Sequence, residues 1–273
     1  MNYRHAFHAG NFADCAKHAL LVWLLRAMQK KPAGVFVLDT HAGAGRYDLS
    51  AGPAERTGEW RQGIARLLEN PPAPLADYVA LVERCGLYPG SPVLIEALLR
   101  PGDALACCEL HPEDHAALRQ HFFRQSAVAV HHRDAWEALG GLLPPVHYKR
   151  ALVLIDPPYE APDEFTHLAA GLKKGLARFP AGVVAAWYPI KHMTPVRDFR
   201  ETLRAAGLRD LVAAELHLRA PLDPTRLNGC GLLVVHPPWG FEAAAREILT
   251  ALLARLGEGE DGQGIAVERW ADE

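Results

Sequence analysis

Leu152-Val153-Leu154-Ile155-Asp156-Pro157-Pro158-Tyr159 runs from four apolar residues into a carboxylate, two prolines and an aromatic ring. An apolar run of this length, closed by a proline turn, reads as a strand buried on both faces, the kind a parallel sheet requires. Proline lacks the N–H that a ladder needs, so the strand ends at the acid. The same grammar recurs on either side. Upstream, Gly34-Val35-Phe36-Val37-Leu38-Asp39 is a short apolar run that ends in an acid followed by glycines, and Ala104–Leu110 and Ala127–His132 are two more strands. Downstream lies Gly182–Tyr188. Helical spacing of apolar residues fills 11–30, Glu113–Gln125, Trp136–Leu143 and Phe165–Phe179. In the first of these helices Asn11 is placed to cap and Asp14 lies in the first turn. Strand and helix in alternation predict an α/β fold with a mainly parallel sheet covered on both faces. Leu211–Leu218 and Gly231–His236 are joined by a loop too short for a covering helix, which predicts an antiparallel pair at the sheet edge. Phe241–Leu256 reads as a late amphipathic helix. The tail after Gly257 is acidic and reads as solvated, with a short strand at Ile265–Val267.

Residues 49–96 break this rhythm. Helical stretches around Glu59–Leu68 and Leu75–Glu83 are separated by the proline-rich breaks Pro71–Pro74 and Tyr88-Pro89-Gly90-Ser91-Pro92, with no strong strand. The expected organisation is one α/β domain, 1–48 with 97–273, carrying a helical insertion at 49–96. About half of the 273 residues are hydrophobic, as in ordinary globular domains, and the formal net charge is -3. A strongly basic nucleic-acid binder is excluded, so any such surface must be a local patch. None of the five cysteines forms a Cys-x-x-Cys pair, which argues against a zinc ribbon or a thioredoxin-type site. Cys107 and Cys108 sit in an apolar run and read as core. No acid or cysteine cluster completes a metal site around His5 and His8, so no metal is expected. The start has no apolar signal core, and Ala19–Leu25 is too short to span a bilayer, so the expectation is a cytoplasmic protein without membrane contact.

Ligands of an open parallel sheet bind beyond the carboxyl ends of its strands. Four consecutive strands here deliver a carboxylate to that edge: Asp39, Glu109, Asp134 and Asp156. One acidic strand end is ordinary, because acids cap helices. Four in sequence, the first followed by Thr40-His41-Ala42-Gly43-Ala44-Gly45, are harder to dismiss. Gly43 and Gly45 let the backbone approach a ligand, although the third glycine of the dinucleotide fingerprint is missing. Glu109 suits a ribose diol, which offers two hydroxyl donors; the plainer reading is a cap for the helix starting near Pro112. Asp134 suits an exocyclic amine, or again a cap.

Asp156-Pro157-Pro158-Tyr159 is the specific signal. A strand that ends in a proline turn covered by a tyrosine would be its bland reading, but its position beside the glycine turn opposes that. It resembles the motif of the amino-methyltransferases that carry Asp/Asn-Pro-Pro-aromatic, and an Asp in first place points to adenine N6. The residue types fit that chemistry. An adenine amino nitrogen has its lone pair delocalised into the ring. The Asp156 carboxylate and the Pro157 carbonyl form an acceptor pair for its two hydrogens, and proline fixes the backbone that presents the carbonyl. A carboxylate also stabilises the positive charge that develops on nitrogen. Tyr159 offers a flat face for an extruded or single-stranded base.

Further blocks narrow the resemblance. Tyr3-Arg4-His5-Ala6-Phe7-His8-Ala9-Gly10-Asn11 with Ala13-Asp14 and Lys17-His18, Leu38–Tyr47, Glu55-Arg56-Thr57-Gly58-Glu59, Tyr88–Pro92, Glu109-Leu110-His111-Pro112, Trp187-Tyr188-Pro189, Asn228-Gly229 and His236-Pro237-Pro238-Trp239 are similar to the ribosomal RNA large-subunit methyltransferase J family over nearly the whole chain. The resemblance implies a Rossmann-like class I methyltransferase fold with a small helical insertion. It implies an S-adenosylmethionine-dependent enzyme that methylates N6 of one adenine in 23S rRNA. It also implies cofactor contacts from His18, His41, Ser91, Glu109, Asp134 and Asp156, with main-chain contacts at Gly43 and Ala135, an RNA contact from Tyr3, and catalysis by Asp156. Ala135 departs from the family's expected glycine, and a main-chain contact there needs a negative φ. The competing readings are a DNA adenine-N6 methyltransferase, whose motif chemistry is the same, and a non-catalytic RNA-binding or ribosome-assembly protein. The N-terminal residues could also be a loose arm. Lys173, Lys174 and Arg178, like Arg197, Arg200 and Arg204, fall at helical spacing and read as solvated faces, phosphate contact being the sharper reading. His236-Pro237-Pro238-Trp239 lacks the carboxylate and reads as an edge-strand turn.

Overall fold

Side chains of the central strands alternate between two hydrophobic layers. Leu152 and Leu154 join one cluster and Val153 and Ile155 the other; Leu105 and Cys107 divide from Ala106 and Cys108 in the same way. This period of two makes the sheet the middle of a three-layer sandwich. The fold, a computed structural model, is described over residues 5–272. Its strands are β1 (Phe36–Asp39), β2 (Arg46–Tyr47), β3 (Tyr88–Pro89), β4 (Ala104–Glu109), β5 (Val128–His132), β6 (Ala151–Ile155), β7 (Val183–Ile190), β8 (Leu211–His217), β9 (Gly229–Val235) and β10 (Gly264–Ala271). The helices are α1 (Phe12–Gln29), α2 (Gly52–Thr57), α3 (Ala65–Leu68), α4 (Ala76–Cys85), α5 (Ser91–Glu96), α6 (Pro112–His121), α7 (Ala135–Gly141), α8 (Glu164–Arg178), α9 (Met193–Ala205) and α10 (Phe241–Leu256).

The main sheet has the order β10-β8-β9-β7-β6-β1-β4-β5. β5, β4, β1, β6 and β7 are parallel neighbours, and β9 runs antiparallel to both β7 and β8. The chain moves outward from β1 through β4 to β5 and then returns to β6 on the other side of β1. The β1–β6 boundary is therefore the topological switch point, where an open α/β sheet forms its ligand crevice. Asp39 ends β1 and Asp156 follows β6 at that crevice. α1 and α10 cover one face, while α7, α8 and α9 cover the other. Buried Ile64, Leu67, Leu75, Tyr78 and Val79 of the 49–96 segment pack into the same cluster as α1. β2 and β3 pair antiparallel at the margins of that segment. Among the described residues no helix is long and apolar enough to cross a membrane.

Three expectations need correction. The antiparallel pair is real, but β9 lies inside the sheet and the edge belongs to β10. The final strand covers eight residues, not three, because Val267 and Trp270 anchor it to the core on opposite faces. The turn His236-Pro237-Pro238-Trp239 therefore follows an interior strand, at the end of the sheet opposite Asp156. Trp270 packs against Tyr188 at a tilt, ring centroids 5.8 Å apart, and meets Phe199 edge-on at 6.1 Å. Trp270→Ala is expected to lower unfolding free energy by about 3–5 kcal/mol, read from the urea midpoint; a solvated tail would give almost no change.

Candidate active site

α1 brings its charged residues to the sheet edge because its amino end points there. Asn11 caps it, accepting from the N–H groups of Ala13 and Asp14 at 3.0 Å. Asp14, Lys17 and His18 then share one helical face. Lys17 Nζ lies 2.9 Å from Asp14 Oδ1 and 2.6 Å from Asp156 Oδ2, with only 5% of its side chain exposed. The other Asp14 oxygen accepts from Gly10 N at 3.0 Å and sits 2.9 Å from His5 Nε2. Burial works against charge on Asp14, but His5, Lys17 and His18 hold its carboxyl well below the usual range. Burial likewise opposes the Lys17 ammonium, yet Asp14 and Asp156 hold its pKa well above the ordinary lysine value. Neither Asp14 nor Lys17 was assigned a role from the sequence.

The glycine turn is built as its residue types require. Gly43 and Gly45 have φ of 62° and 83°, and a Cβ on Gly43 would stand 2.4 Å from the Tyr47 hydroxyl oxygen. Glu109 fastens this turn by accepting from Gly43 N at 2.8 Å and from His111 N at 2.7 Å. Burial raises its pKa. Asp134 caps α7, accepting from Glu137 N at 3.0 Å. Ala135 opens that helix without a positive φ, so the alanine is accommodated. Of the two caps foreseen as plain readings, Asp134 makes its cap; Glu109 does not, because His111 is the N-cap of α6 and Glu109 accepts from the N–H groups of His111 and Gly43 instead of a first-turn N–H. Both carboxylates line the cavity.

Buried polar atoms converge on the crevice. Burial, with Asp156 nearby, lifts the Asp39 pKa to about 7, the Ser91 hydroxyl opposing the rise. Asp39 Oδ2 has no hydrogen-bond partner among the described residues, and neither does Nε2 of His18. His18 Nδ1 is 3.1 Å from the Tyr88 hydroxyl. Burial pushes His18 down to about 3 and His41 to about 4, so both imidazoles are neutral at pH 7. His41 Nδ1 lies 2.8 Å from Thr40 Oγ1 and accepts from Asp156 N at 3.4 Å. Tyr159 has a φ of 51°, a conformation that costs a non-glycine residue roughly 1–2 kcal/mol. Its hydroxyl donates to the Trp187 carbonyl at 3.0 Å, and Phe165 and Trp187 meet its ring edge-on at 5.1 and 5.7 Å.

One cavity of about 680 Å³ is lined by His18, His41, Gly43, Ser91, Glu109, Asp134, Ala135, Asp156, Pro157 and Tyr159 together. Every site residue expected from the sequence is there except Tyr3, which lies outside the described residues. From His5 onward the N-terminal segment is packed, not loose: Phe7 O accepts from Thr57 Oγ1 at 2.6 Å, Arg56 lies over the Phe7 ring, and His8 Nδ1 is 3.0 Å from Glu59 Oε1. Several basic helical side chains have structural partners: Lys174 donates to Trp136 O, Arg178 to Leu143 O, and Arg200 to Glu268. Among the described residues no group of three His, Cys, Asp or Glu could hold a metal ion.

A family model described as ribosomal RNA large subunit methyltransferase D, RlmJ matches residues 32–271. The chain belongs to this family. It is 38% identical over 278 residues to the ribosomal RNA large subunit methyltransferase J of Escherichia coli K12, covering 99% of this chain and 98% of that protein. The Haemophilus influenzae protein of the same name is 37% identical with the same coverage. A crystal structure of a Legionella pneumophila protein superposes with a TM-score of 0.87 at 32% identity, covering 96% of this chain and 98% of the other. As a member of the RlmJ family the chain is a methyltransferase of Rossmann-like fold, with S-adenosylmethionine as its methyl donor. The site fits that donor: a glycine turn on the cavity wall, an unpartnered buried Nε2 on His18, and a wall rich in carboxylates beside which a sulfonium cation is favoured.

Two outcomes test these electrostatics. Lys17→Met leaves Asp14 and Asp156 without their counter-charge and is expected to destabilise by about 3–5 kcal/mol at pH 7, measured by urea unfolding. Asp39 has a folded pKa raised above its unfolded value, so its favourable contribution is full below about pH 4 and fades as pH rises through about 7. Asp39→Asn should therefore stabilise the cofactor-free protein at pH 8, with the difference shrinking by roughly 1 kcal/mol per pH unit on descending from 7 to 4. A pH-independent difference would mean that Asp39 is ionised throughout.

Proposed function

We propose that the protein transfers a methyl group from S-adenosylmethionine to the N6 amino group of one adenine in 23S rRNA. The observation that carries this reading is the rigid presentation of Asp156-Pro157-Pro158-Tyr159 at the switch point, in one cavity with the glycine turn. The donor supplies an electrophilic methyl on a sulfonium. His18, His41, Gly43, Ser91, Glu109, Asp134, Ala135 and Asp156 hold it. Tyr3, Pro157 and Tyr159 hold the substrate. Lys17 ties one oxygen of Asp156, and the other accepts from the adenine amino group. The Pro157 carbonyl takes the second amino hydrogen. This pair pins the nitrogen and stabilises the positive charge that grows on it. The Tyr159 ring, fixed through its hydroxyl and its aromatic neighbours, stacks the extruded base. Neutral His18 and His41 place no cationic charge beside the sulfonium.

Residues 1–48 and 97–273 form the methyltransferase domain in this reading, and 49–96 is a helical insertion that braces the N-terminal segment. The enzyme acts in the cytoplasm. The test is transfer of labelled methyl to unmodified 23S rRNA, with DNA and protein substrates beside it, followed by nucleoside analysis. N6-methyladenosine from RNA alone is expected. Label in DNA would favour the alternative substrate, and no transfer at all would favour a binding protein. Asp156→Ala should lower kcat by about 10²–10³-fold in a protein that stays folded; near-normal turnover would remove Asp156 from the chemistry.

A further inference from the structure

The edge of the sheet opposite the cavity carries a concentration of positive charge that the reaction does not use. Lys30 and Lys31 follow α1, Arg100 precedes β4, and Lys149 and Arg150 precede β6. Hydrogen bonds show that these segments meet. Arg100 Nη1 donates to Gln29 O at 2.6 Å and to Lys31 O at 3.1 Å. Arg150 donates to Ala33 O at 3.0 Å and also to Met28 O. The two guanidiniums thus cap the carbonyl end of α1, where cations are favoured. The acid among them is Asp103, which is buried and committed to Arg100, to Gln29 and to the N–H groups of Val35 and Arg100. Five cations therefore face one carboxylate in a chain whose net charge is -3.

The lysines have no such structural task. Lys30, Lys31 and Lys149 are exposed and make no ion pair among the described residues. Three uncommitted ammonium groups around two guanidiniums are the chemistry of a phosphate-backbone contact. At the cavity Glu109, Asp134 and Asp156 stand among Arg133, Lys191, Arg219 and Arg226, so charge of both signs is mixed there, whereas the opposite edge is almost purely basic. The five residues of β6 separate Arg150 from Asp156, so the two edges stand on the order of 20 Å apart.

We propose that Lys30, Lys31, Lys149, Arg100 and Arg150 form a second RNA-docking surface that grips backbone phosphates of the folded rRNA away from the target adenine. This rests on the reading of the protein as an rRNA methyltransferase. The surface supplies affinity for a large, folded substrate, and the cavity reads the nucleotide.

The experiment compares the wild type with Lys30→Gln/Lys31→Gln/Lys149→Gln, a variant that leaves both arginine caps in place. Lys173→Gln, at an exposed position of α8, is a single-charge control, compared with the triple variant per charge removed. An unmodified 23S rRNA transcript is bound over a range of KCl concentrations and methylated under steady-state conditions. The triple variant should lose about two to three units of the slope of log Kd against log salt, and its Kd should weaken by about tenfold or more. The loss should fall on KM for the transcript, and the control should behave as wild type. An unchanged slope and KM in the triple variant, with an active wild type, overturns the docking surface alone. A wild type that neither binds nor methylates the transcript overturns the rRNA reading and the docking surface with it. A slope lost equally per charge in the control also overturns it, because the effect is then net charge and not position.

Discussion

The buried Lys17 ammonium, held between Asp14 and Asp156, is the constraint on which the site depends. It joins the first helix to the turn after β6 across 139 residues of sequence. Such an ion pair adds little net stability, because removing both charges from water offsets most of the attraction. What it fixes is position. Asp156 would otherwise be a carboxylate on a proline turn, free to rotate toward solvent. With one oxygen tied to Lys17, the carboxylate has one defined direction left for an acceptor. Asp14 completes the arrangement from below, accepting from Gly10 N and facing His5, so the N-terminal segment and the turn after β6 register against each other.

The rest of the crevice follows the same logic of fixed acceptors. Asp134 starts α7 and Glu109 braces the glycine turn, and each also walls the cavity. The apparent choice between cap and ligand contact is therefore no choice at the level of geometry: a carboxylate held by backbone N–H groups is already oriented for a second partner. Tyr159 is held by an analogous expedient. Its left-handed backbone is unfavourable by itself, and the Trp187 carbonyl with two edge-on rings offsets that local strain. Strain of this kind three residues after a half-buried acid fits a built site.

Legibility in the sequence follows range. β6 and the four acidic strand ends were readable because an apolar run and the residue after it are local features. The Asn11 cap and the α10 helix were readable for the same reason. β10 was underestimated because Glu268 and Arg269 interrupt its alternation, and only Val267 and Trp270 reveal the buried faces. The place of β9 was misjudged because pairing order is decided by which strands complete the two cores, not by loop length. Asp39 was noted as a strand end, but its unpartnered oxygen is a consequence of burial that no spacing encodes. Lys17 belongs to the same class: Asp14, Lys17 and His18 on one helical face were visible, but their partner was not.

Charge is distributed along the strands with a polarity that composition conceals. At the carboxyl ends, Glu109, Asp134 and Asp156 gather around the cavity beside the buried Lys17, and the imidazoles of His18 and His41 stay neutral. That environment lowers the free energy of a sulfonium. At the amino ends, the guanidiniums of Arg100 and Arg150 answer the carbonyl terminus of α1, with lysines around them. Around the cavity the carboxylates are interspersed with Arg133, Lys191, Arg219 and Arg226, whereas the opposite edge gathers cations almost without acids. α1 spans both edges: its amino-terminal turns carry Asp14, Lys17 and His18 to the cavity, and its last carbonyls gather the basic groups. The same helix dipole that favours Asp14 in its first turn favours cations at its last, so one element organises opposite charge at the two edges of the sheet.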